Sequence, residues 1–184
     1  IAVGQARRSD LPSPLLAPIE AWFSQQGWTP LPFQRQAWAA YLAGESGLIQ
    51  VPTGSGKTYA AVMGPIAEML AVQQGADTTQ RRVQDSVQTV QKQGESENNK
   101  RPRRTTTPQT NIQGLRLLYI TPLRALSRDL ALAIQAPIEA MGWPLRLGIR
   151  NGDTPSSERT RQLRTPPQIL ITTPESLSLL LANP

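Results

Sequence analysis

The chain of 184 residues contains no cysteine and no histidine. It therefore has no disulfide, no thiol nucleophile, no histidine general base and none of the usual soft metal ligands. If the chain takes part in catalysis, an aspartate or a glutamate must act as the base. It also lacks an apolar run of about 18 residues, the length that a membrane helix needs, and its first ten residues have no signal-peptide core. We expect a soluble cytoplasmic protein that does not contact a membrane.

The length and charge of the chain limit the number of domains and the candidate partners. A chain of this size is about one domain long and can bury a core. Its net charge of +6 and pI near 10.5 favour nucleic acid among the candidate partners. The chain starts with Ile1 instead of methionine and stops abruptly at Pro184, which predicts a fragment of a longer protein.

One stretch, residues 48–58, predicts a phosphate site. Leu48 to Val51 is predicted to form a short strand, a turn with two glycines follows, and a helix is predicted from Thr58 to Leu70. Glycines in such a turn let successive N–H groups converge on an anion, and the helix N-terminus adds a partial positive charge. The strict P-loop pattern has a glycine where this chain has Val51. Six residues are candidate ligands of a nucleotide: Thr53, Gly54, Ser55, Gly56, Lys57 and Thr58. Lys57 and Thr58 are the candidate catalytic residues, and the Thr58 hydroxyl is the candidate Mg²⁺ ligand.

Short apolar strands alternate with helices along the rest of the chain, which predicts an α/β fold with a mostly parallel sheet covered on both faces. Residues 1–13 are predicted to be a frayed lead-in. The predicted helices span residues 14–26, 33–43, 58–70, 123–140 and 155–163, with a last one opening at Thr173-Pro174-Glu175. After the strand at 48–51, further strands are predicted at 115–120, 145–149 and 168–171.

Between these elements, residues 75–113 are rich in Gln, Thr, Asn, Glu and Arg and poor in aromatics, which predicts a disordered insertion. Val83, Val87 and Val90 would share one face of a short helix, although three valines bury too little apolar surface to hold it alone. The basic run Lys100 to Arg104 is interpreted as a solvated stretch, with phosphate contact as the alternative.

Three further segments follow predicted strands, at the edge of a parallel sheet where ligands bind. Residues 121–126 (Thr-Pro-Leu-Arg-Ala-Leu) resemble helicase motif Ia, and residues 172–177 (Thr-Thr-Pro-Glu-Ser-Leu) resemble motif Ib. Residues 150–154 resemble the glycine-bearing segment between these motifs. With the P-loop variant, the chain resembles superfamily 2 helicases. The run from Gly152 to Arg159 (Gly-Asp-Thr-Pro-Ser-Ser-Glu-Arg) is similar to Lhr-type DEXH-box proteins, most of all the ligase-associated helicases of DNA repair.

This resemblance implies that residues 14–184 are an incomplete first RecA-like P-loop NTPase domain, interrupted at 75–113. It implies ATP and Mg²⁺ at the P-loop and adenine at Gln34, which lies 23 residues before Lys57 as in the Q motif. The implied partner is single-stranded DNA or duplex DNA with a single-stranded tail, with RNA as a second candidate and a ligase among the repair partners. The implied strand contacts are Thr121, Pro122, Arg124, Gly152, Thr173 and Pro174.

Several of these residues have plainer alternatives. Gln34 would otherwise be an exposed helix residue, and Trp28, which resembles the Q-motif aromatic, would otherwise pack in the core. Arg124 would otherwise pair with a nearby carboxylate. Asp153 and Glu175 are interpreted as a turn former and a helix N-terminal acid, not as catalytic bases.

The family's Asp-Glu-x-His motif and second RecA-like domain do not occur in this chain. Hydrolysis needs bridging Mg²⁺, an oriented water and a charge clamp, so we predict weak binding of Mg·ATP, negligible turnover by this fragment and marginal stability. The leading hypothesis is the amino-terminal part of an ATP-dependent DNA helicase or translocase. The alternatives are a non-enzymatic nucleic-acid-binding fragment and a P-loop ATPase that does not act on nucleic acid.

Overall fold

The computed structural model describes residues 14–91 and 114–182, with side chains described over 14–75 and 114–182. The predicted lead-in at 1–13 lies outside the described residues. So do residues 92–113 of the predicted insertion, with the basic run Lys100 to Arg104. In the described part no helix is both long enough and apolar enough to cross a membrane.

From residue 117 onward strands and helices alternate as the sequence predicts, whereas only helices precede that point in the described part. A 3₁₀ turn at Pro14–Leu16 leads into α1, and six helices and three strands follow in the described part: α1 Ala17–Gln25, α2 Pro32–Leu42, α3 Lys57–Gln91, β1 Leu117–Ile120, α4 Arg124–Ala140, β2 Leu147–Arg150, α5 Ser156–Arg164, β3 Ile169–Thr172 and α6 Pro174–Ala182. Gly27, with a φ of +70°, follows α1, in the left-handed conformation that commonly ends a helix.

The three described strands are parallel, in the order β1-β3-β2. Ile169 of β3 is level with Leu117 of β1 and with Leu147 of β2. Because the strands run in parallel, their carboxyl ends lie at one edge of the sheet, and the segments after them meet there. The α/β fold with a parallel sheet is confirmed.

One predicted strand is wrong. Residues 48–51 lie outside regular secondary structure, and Leu48 is 88% exposed. An apolar run becomes a strand only where a neighbouring strand takes up its N–H and C=O groups. Here the carbonyl oxygen of Val51 accepts a hydrogen bond from the Lys57 ammonium instead.

The helix after the P-loop is longer than predicted. It continues from Lys57 to Gln91, so the backbone of residues 75–91, predicted to be disordered, is helical. Extending an existing helix fixes one residue for each hydrogen bond gained, and this costs far less than nucleating a new helix. The side chains of Val83, Val87 and Val90 lie outside the described part.

The core lies between one face of the sheet and the helices. Fully buried side chains include Ile66 of α3, Ile134 of α4 and Ile169 and Ile171 of β3. The other face is not covered along β1, where Leu118 is 37% and Ile120 48% exposed. The expectation of a sheet covered on both faces is therefore wrong for this strand.

Helices α2 and α3 pack closely at Gly64. A Cβ at position 64 would lie 3.1 Å from Cδ1 of Tyr41 and 3.4 Å from Cα of Trp38. Nε1 of Trp38 also donates a hydrogen bond over 2.9 Å to the carbonyl oxygen of Tyr59, in the first turn of α3. The helix that carries Gln34 is thus fastened to the helix that begins at Lys57.

Candidate functional site

The P-loop turn has the backbone geometry that the sequence predicts. Gly54 and Gly56 have φ values of +79° and +85°, a region that residues with a Cβ rarely adopt. Helix α3 begins directly after them at Lys57. The two glycines therefore let the chain reverse in front of a helix N-terminus, where the dipole favours an anion.

Lys57 lies across this turn. Its Nζ donates hydrogen bonds to the carbonyl oxygens of Val51, 2.7 Å away, and Pro52, 3.0 Å away. The Ser55 hydroxyl donates to the same Pro52 oxygen over 2.6 Å. The ammonium is thus held by the loop backbone, and a phosphate oxygen with its negative charge is a stronger partner for it than a neutral carbonyl.

The residues of the turn suit a nucleotide phosphate with Mg²⁺, although the metal ligands are few. Lys57 supplies the positive charge, the glycine turn allows close approach, and Thr58 offers one hydroxyl ligand. No group of three or more Asp or Glu side chains in the described part is arranged to hold a metal ion. The other ligands would therefore be phosphate oxygens and water, as is usual for Mg²⁺.

Gln34 lies against the P-loop and is only 3% exposed. Its Nε2 donates to the carbonyl oxygen of Gly56 over 3.1 Å, and its Oε1 accepts the N–H of Leu31 over 2.8 Å, as a cap at the N-terminus of α2. A Cβ on Gly56 would lie 2.7 Å from Nε2. The plainer alternative of an exposed residue is wrong, and an adenine would have to compete with these two internal hydrogen bonds.

Trp28 packs against the aromatic core, as its plainer alternative predicts. Its ring packs edge-on against Trp22 and Phe23, yet the residue remains 51% exposed. It also lies 6.4 Å, centroid to centroid, from Tyr59 at the start of α3. The ring therefore belongs to the aromatic cluster beside the P-loop helix, and its role as the Q-motif aromatic stays a prediction.

The segments after the three strands meet around Arg124. Nη1 of Arg124 lies 3.1 Å from Oδ1 of Asp153. A Cβ at position 152 would lie 2.5 Å from Nη2 of Arg124, so the guanidinium rests directly on Gly152. The predicted alternative of a carboxylate partner for Arg124 is confirmed. The side chains of both Arg124 and Asp153 are exposed.

Glu175 adds a second carboxylate nearby. The pKa of its carboxyl lies below the ordinary value because the carboxylate accepts its own backbone N–H and bonds to Thr173, and because Arg124 is close. It is a helix N-terminal acid, as the sequence predicts. Two carboxylates therefore face one guanidinium at this edge of the sheet.

The four other predicted strand contacts differ in exposure. Thr121 and Thr173 are buried, and Thr121 donates its N–H to the carbonyl oxygen of Thr172 over 2.9 Å. Pro122 and Pro174 are exposed. The threonines thus shape this edge from within, and the exposed surface there comes from Arg124, Gly152, Asp153 and the prolines.

Arg159 is not among the site residues predicted from the sequence. Its Nε donates to the carbonyl oxygen of Thr154 over 2.8 Å, and its Nη2 to those of Asn151 and Gly152 over 3.2 and 3.1 Å. Arg159 occurs in the run that resembles Lhr-type proteins, but nothing in that pattern says that its side chain folds back onto the preceding loop.

Comparison with known protein families shows to which family the chain belongs. The model of the DEAD/DEAH box helicase family matches residues 31–183. The chain belongs to the DEAD/DEAH box helicase family. Over 172 residues it is 34% identical to the Lhr helicase/uracil glycosylase of Escherichia coli K12, covering 88% of this chain but 9% of that protein. Over 177 residues it is 30% identical to the ATP-dependent helicase Lhr-Core of Methanocaldococcus jannaschii, covering 91% of this chain and 17% of that protein.

A solved structure gives the same relationship. The Mycobacterium smegmatis helicase Lhr bound to ssDNA and AMP-PNP matches with a TM-score of 0.64 at 28% identity, over 93% of this chain and 19% of that one. The predicted helicase family and the similarity to Lhr-type proteins are confirmed. The narrower assignment to the ligase-associated group stays a prediction.

Proposed function

We propose that this chain is the amino-terminal part of an ATP-dependent DNA helicase or translocase. In this proposal the P-loop binds Mg·ATP through Lys57 and Thr58, with Gln34 on the adenine side. The segments after β1, β2 and β3 bind the backbone of one DNA strand, with RNA as a second candidate. Bound ATP supplies the phosphoanhydride bond whose hydrolysis drives movement in the whole protein. A cytoplasmic location and partners in DNA repair, such as a ligase, are part of the same proposal.

The observation that carries the proposal is the contact of Arg124 with the loop after β2. The guanidinium follows β1, rests on Gly152 and lies near Glu175, which follows β3. One cation thus contacts the segment after β2 and lies close enough to the segment after β3 to lower the pKa of Glu175. A guanidinium beside a bare glycine backbone binds phosphate without reading bases, so the expected contact does not depend on sequence.

The relatives support the nucleic-acid partner. The Mycobacterium smegmatis Lhr structure contains ssDNA and AMP-PNP, and the Escherichia coli relative is named a helicase and uracil glycosylase. This chain spans 9% of the Escherichia coli protein. We transfer only the ATP and strand-binding roles, to the motifs present here.

The test is binding of a labelled single-stranded oligonucleotide, as DNA and as RNA, measured by fluorescence anisotropy across a salt series. If about four phosphates are bound, log K should fall with log salt with a slope of about −3, because each phosphate contributes about −0.7. Arg124→Gln should weaken binding and reduce the slope by about 0.7. Arg128→Gln, on an exposed position of the same helix, removes an equal charge and should leave the slope unchanged.

One observation favours the alternative that the ATPase does not act on nucleic acid. Asp153 and Glu175 both lie near Arg124, and two carboxylates oppose a phosphate backbone. If neither DNA nor RNA binds at low salt, while ATP still stabilises the chain, this alternative replaces the helicase proposal. If nucleic acid binds but ATP has no effect on stability, the non-enzymatic binding fragment replaces it.

A further inference from the structure

The loop between β2 and α5 is held in one conformation by its own polar groups. The N–H of Asn151 donates to Oγ1 of Thr154 over 3.0 Å, and the N–H of Asp153 donates to Oδ1 of Asn151 over 3.0 Å. Oγ1 of Thr154 in turn donates to the carbonyl oxygen of Ile149 over 3.2 Å. These bonds use side chains of the loop itself, and the Asn151 carbonyl oxygen also accepts the N–H of Thr154 over 3.2 Å, while the carbonyls of Gly152 and Thr154 bond to a further partner.

Arg159 is that partner. From the first turn of α5 its guanidinium reaches back to the carbonyl oxygens of Asn151, Gly152 and Thr154, at 2.8 to 3.2 Å. Within the described part no carboxylate lies within ion-pair distance of Arg159. The donors of this side chain therefore go to backbone oxygens, and its planar guanidinium has enough N–H groups to serve all three carbonyls.

The placement of this charge has a cost. Arg159 lies close to Arg150, whose pKa is lowered by burial and by the charge of Arg159. Nη1 of Arg150 donates to the backbone carbonyl of Arg159 over 3.3 Å. Two like charges side by side repel each other. The hydrogen bonds of Arg159 to the loop carbonyls offset this repulsion.

We propose that Arg159 is a positioning residue of the nucleic-acid interface, one that fixes the backbone of residues 151–154 so that Gly152 lies beneath the guanidinium of Arg124. The residue acts on the loop and does not itself contact a phosphate. This inference rests on the proposed function, because it concerns the same strand-binding edge. It adds a residue outside the resembled strand contacts and gives it a distinct role.

The decisive variant is Arg159→Lys, which keeps the charge and removes the planar fork. Arg161→Lys is the matched control, because Arg161 lies on the same helix and bonds only to Glu158, on the surface. We expect Arg159→Lys to weaken binding of single-stranded DNA about tenfold, a change of about 1.4 kcal/mol, while the salt slope stays at the wild-type value. If Arg159 instead contacted a phosphate directly, the lysine variant would keep the positive charge and therefore keep its binding of DNA.

Amide hydrogen exchange provides a readout that does not need DNA. In Arg159→Lys the amides of Asn151, Asp153 and Thr154 should exchange faster than in wild type, whereas the P-loop helix should not change. Nucleotide-dependent stabilisation should also be kept, which shows that the variant is folded. Failure of wild type to bind DNA would overturn the proposed function, while the exchange result would still test whether Arg159 holds the loop.

A second variant guards against loss of folding. Thr154→Val removes the hydroxyl that bridges Asn151 and Ile149 without any change of charge, and it should reproduce the loss of DNA affinity at an unchanged salt slope. The proposal is overturned if Arg159→Lys binds DNA as tightly as wild type and Arg161→Lys. It is equally overturned if Thr154→Val loosens the loop, as judged by exchange, and binding stays at the wild-type level.

Discussion

The side-chain amide of Gln34 donates a hydrogen bond to the carbonyl oxygen of Gly56, 3.1 Å away and 22 residues along the chain. This bond ties the N-terminus of α2 to the turn in front of Lys57. The other end of the amide caps α2 through the N–H of Leu31. Gln34 thus holds the P-loop turn against α2 through hydrogen bonds within the chain.

We expect Gln34→Ala to lower the free energy of unfolding by about 1 to 2 kcal/mol, because it removes a helix cap and leaves buried polar groups without partners. Urea unfolding at neutral pH measures this change. Gln36→Ala is the matched control, since Gln36 lies on an exposed position of the same helix. Equal stability of the two variants would show that the Gln34 bonds contribute nothing.

Lys57→Ala should abolish the stabilisation of the chain by Mg·ATP. In wild type, ATP at about a hundred times its Kd should add about 2.7 kcal/mol to the free energy of unfolding, and thermal unfolding with and without nucleotide measures it. Turnover of ATP by wild type should be no faster than by Lys57→Ala, because the chain lacks the family's Asp-Glu-x-His motif. Hydrolysis well above the variant would contradict this expectation.

Asp153→Asn should strengthen binding of single-stranded DNA. The Asp153 carboxylate forms an ion pair with the Arg124 guanidinium at 3.1 Å, and DNA must compete with it. Because an exposed ion pair contributes about 0.2 to 1 kcal/mol, the affinity for DNA should rise about 1.5- to 5-fold. Anisotropy titrations at low salt measure it. The control is Asp129→Asn, an equal change at an exposed position of α4. An equal gain in both variants would mean that only net charge matters.

Because the pKa of Tyr41 is raised in the folded chain, we expect the chain to lose stability at alkaline pH. Burial, the hydrogen bond to Glu68 over 2.6 Å and the charge of Glu68 raise the pKa of Tyr41 to about 12. The folded state therefore keeps the proton above pH 10, where the unfolded chain releases it. This contribution is present in full below pH 10 and is lost as the pH rises from about 10 to 12.

Thermal unfolding of wild type and Tyr41→Phe between pH 8 and 11.5 tests this expectation. The stability of the variant should fall less steeply above pH 10, because phenylalanine has no proton to release. Tyr59, whose pKa is also raised by burial, is present in both proteins and cancels in the comparison. Parallel curves would show that Tyr41 titrates alike in the folded and unfolded chain.

The sequence predicted the features that depend on local patterns. The alternation of strands and helices, the glycine turn before Lys57 and the gathering of three segments at one edge of a parallel sheet follow from apolar periodicity and turn chemistry. The three confirmed strands are predicted to begin one or two residues too early, and the bounds of α2, α4 and α5 shift by a residue, which is the usual uncertainty of element ends; α1 and α3 differ more.

The features that the sequence missed depend on tertiary partners. Residues 48–51 have strand-like composition but are not paired, and Thr121 and Thr173 have the right type for phosphate contacts but are buried. Neither the internal bonds of Gln34 nor the reach of Arg159 back to its own loop has a sequence signature. In each case the residue type was identified correctly, and its partner could be known only from the folded chain.

The close contact at Gly64 has a mechanical consequence. Because α2 and α3 pack so closely there that a Cβ on Gly64 would lie 3.1 Å from Tyr41, we expect the two helices to move as one unit, with Gln34 near one end and Lys57 at the start of the other helix. The irregular segment from residue 45 to 56 connects the two helices, and both Gln34 and Lys57 donate hydrogen bonds to its carbonyl oxygens. Helix packing, and not the loop, should therefore set the distance between the two ends of the proposed nucleotide site.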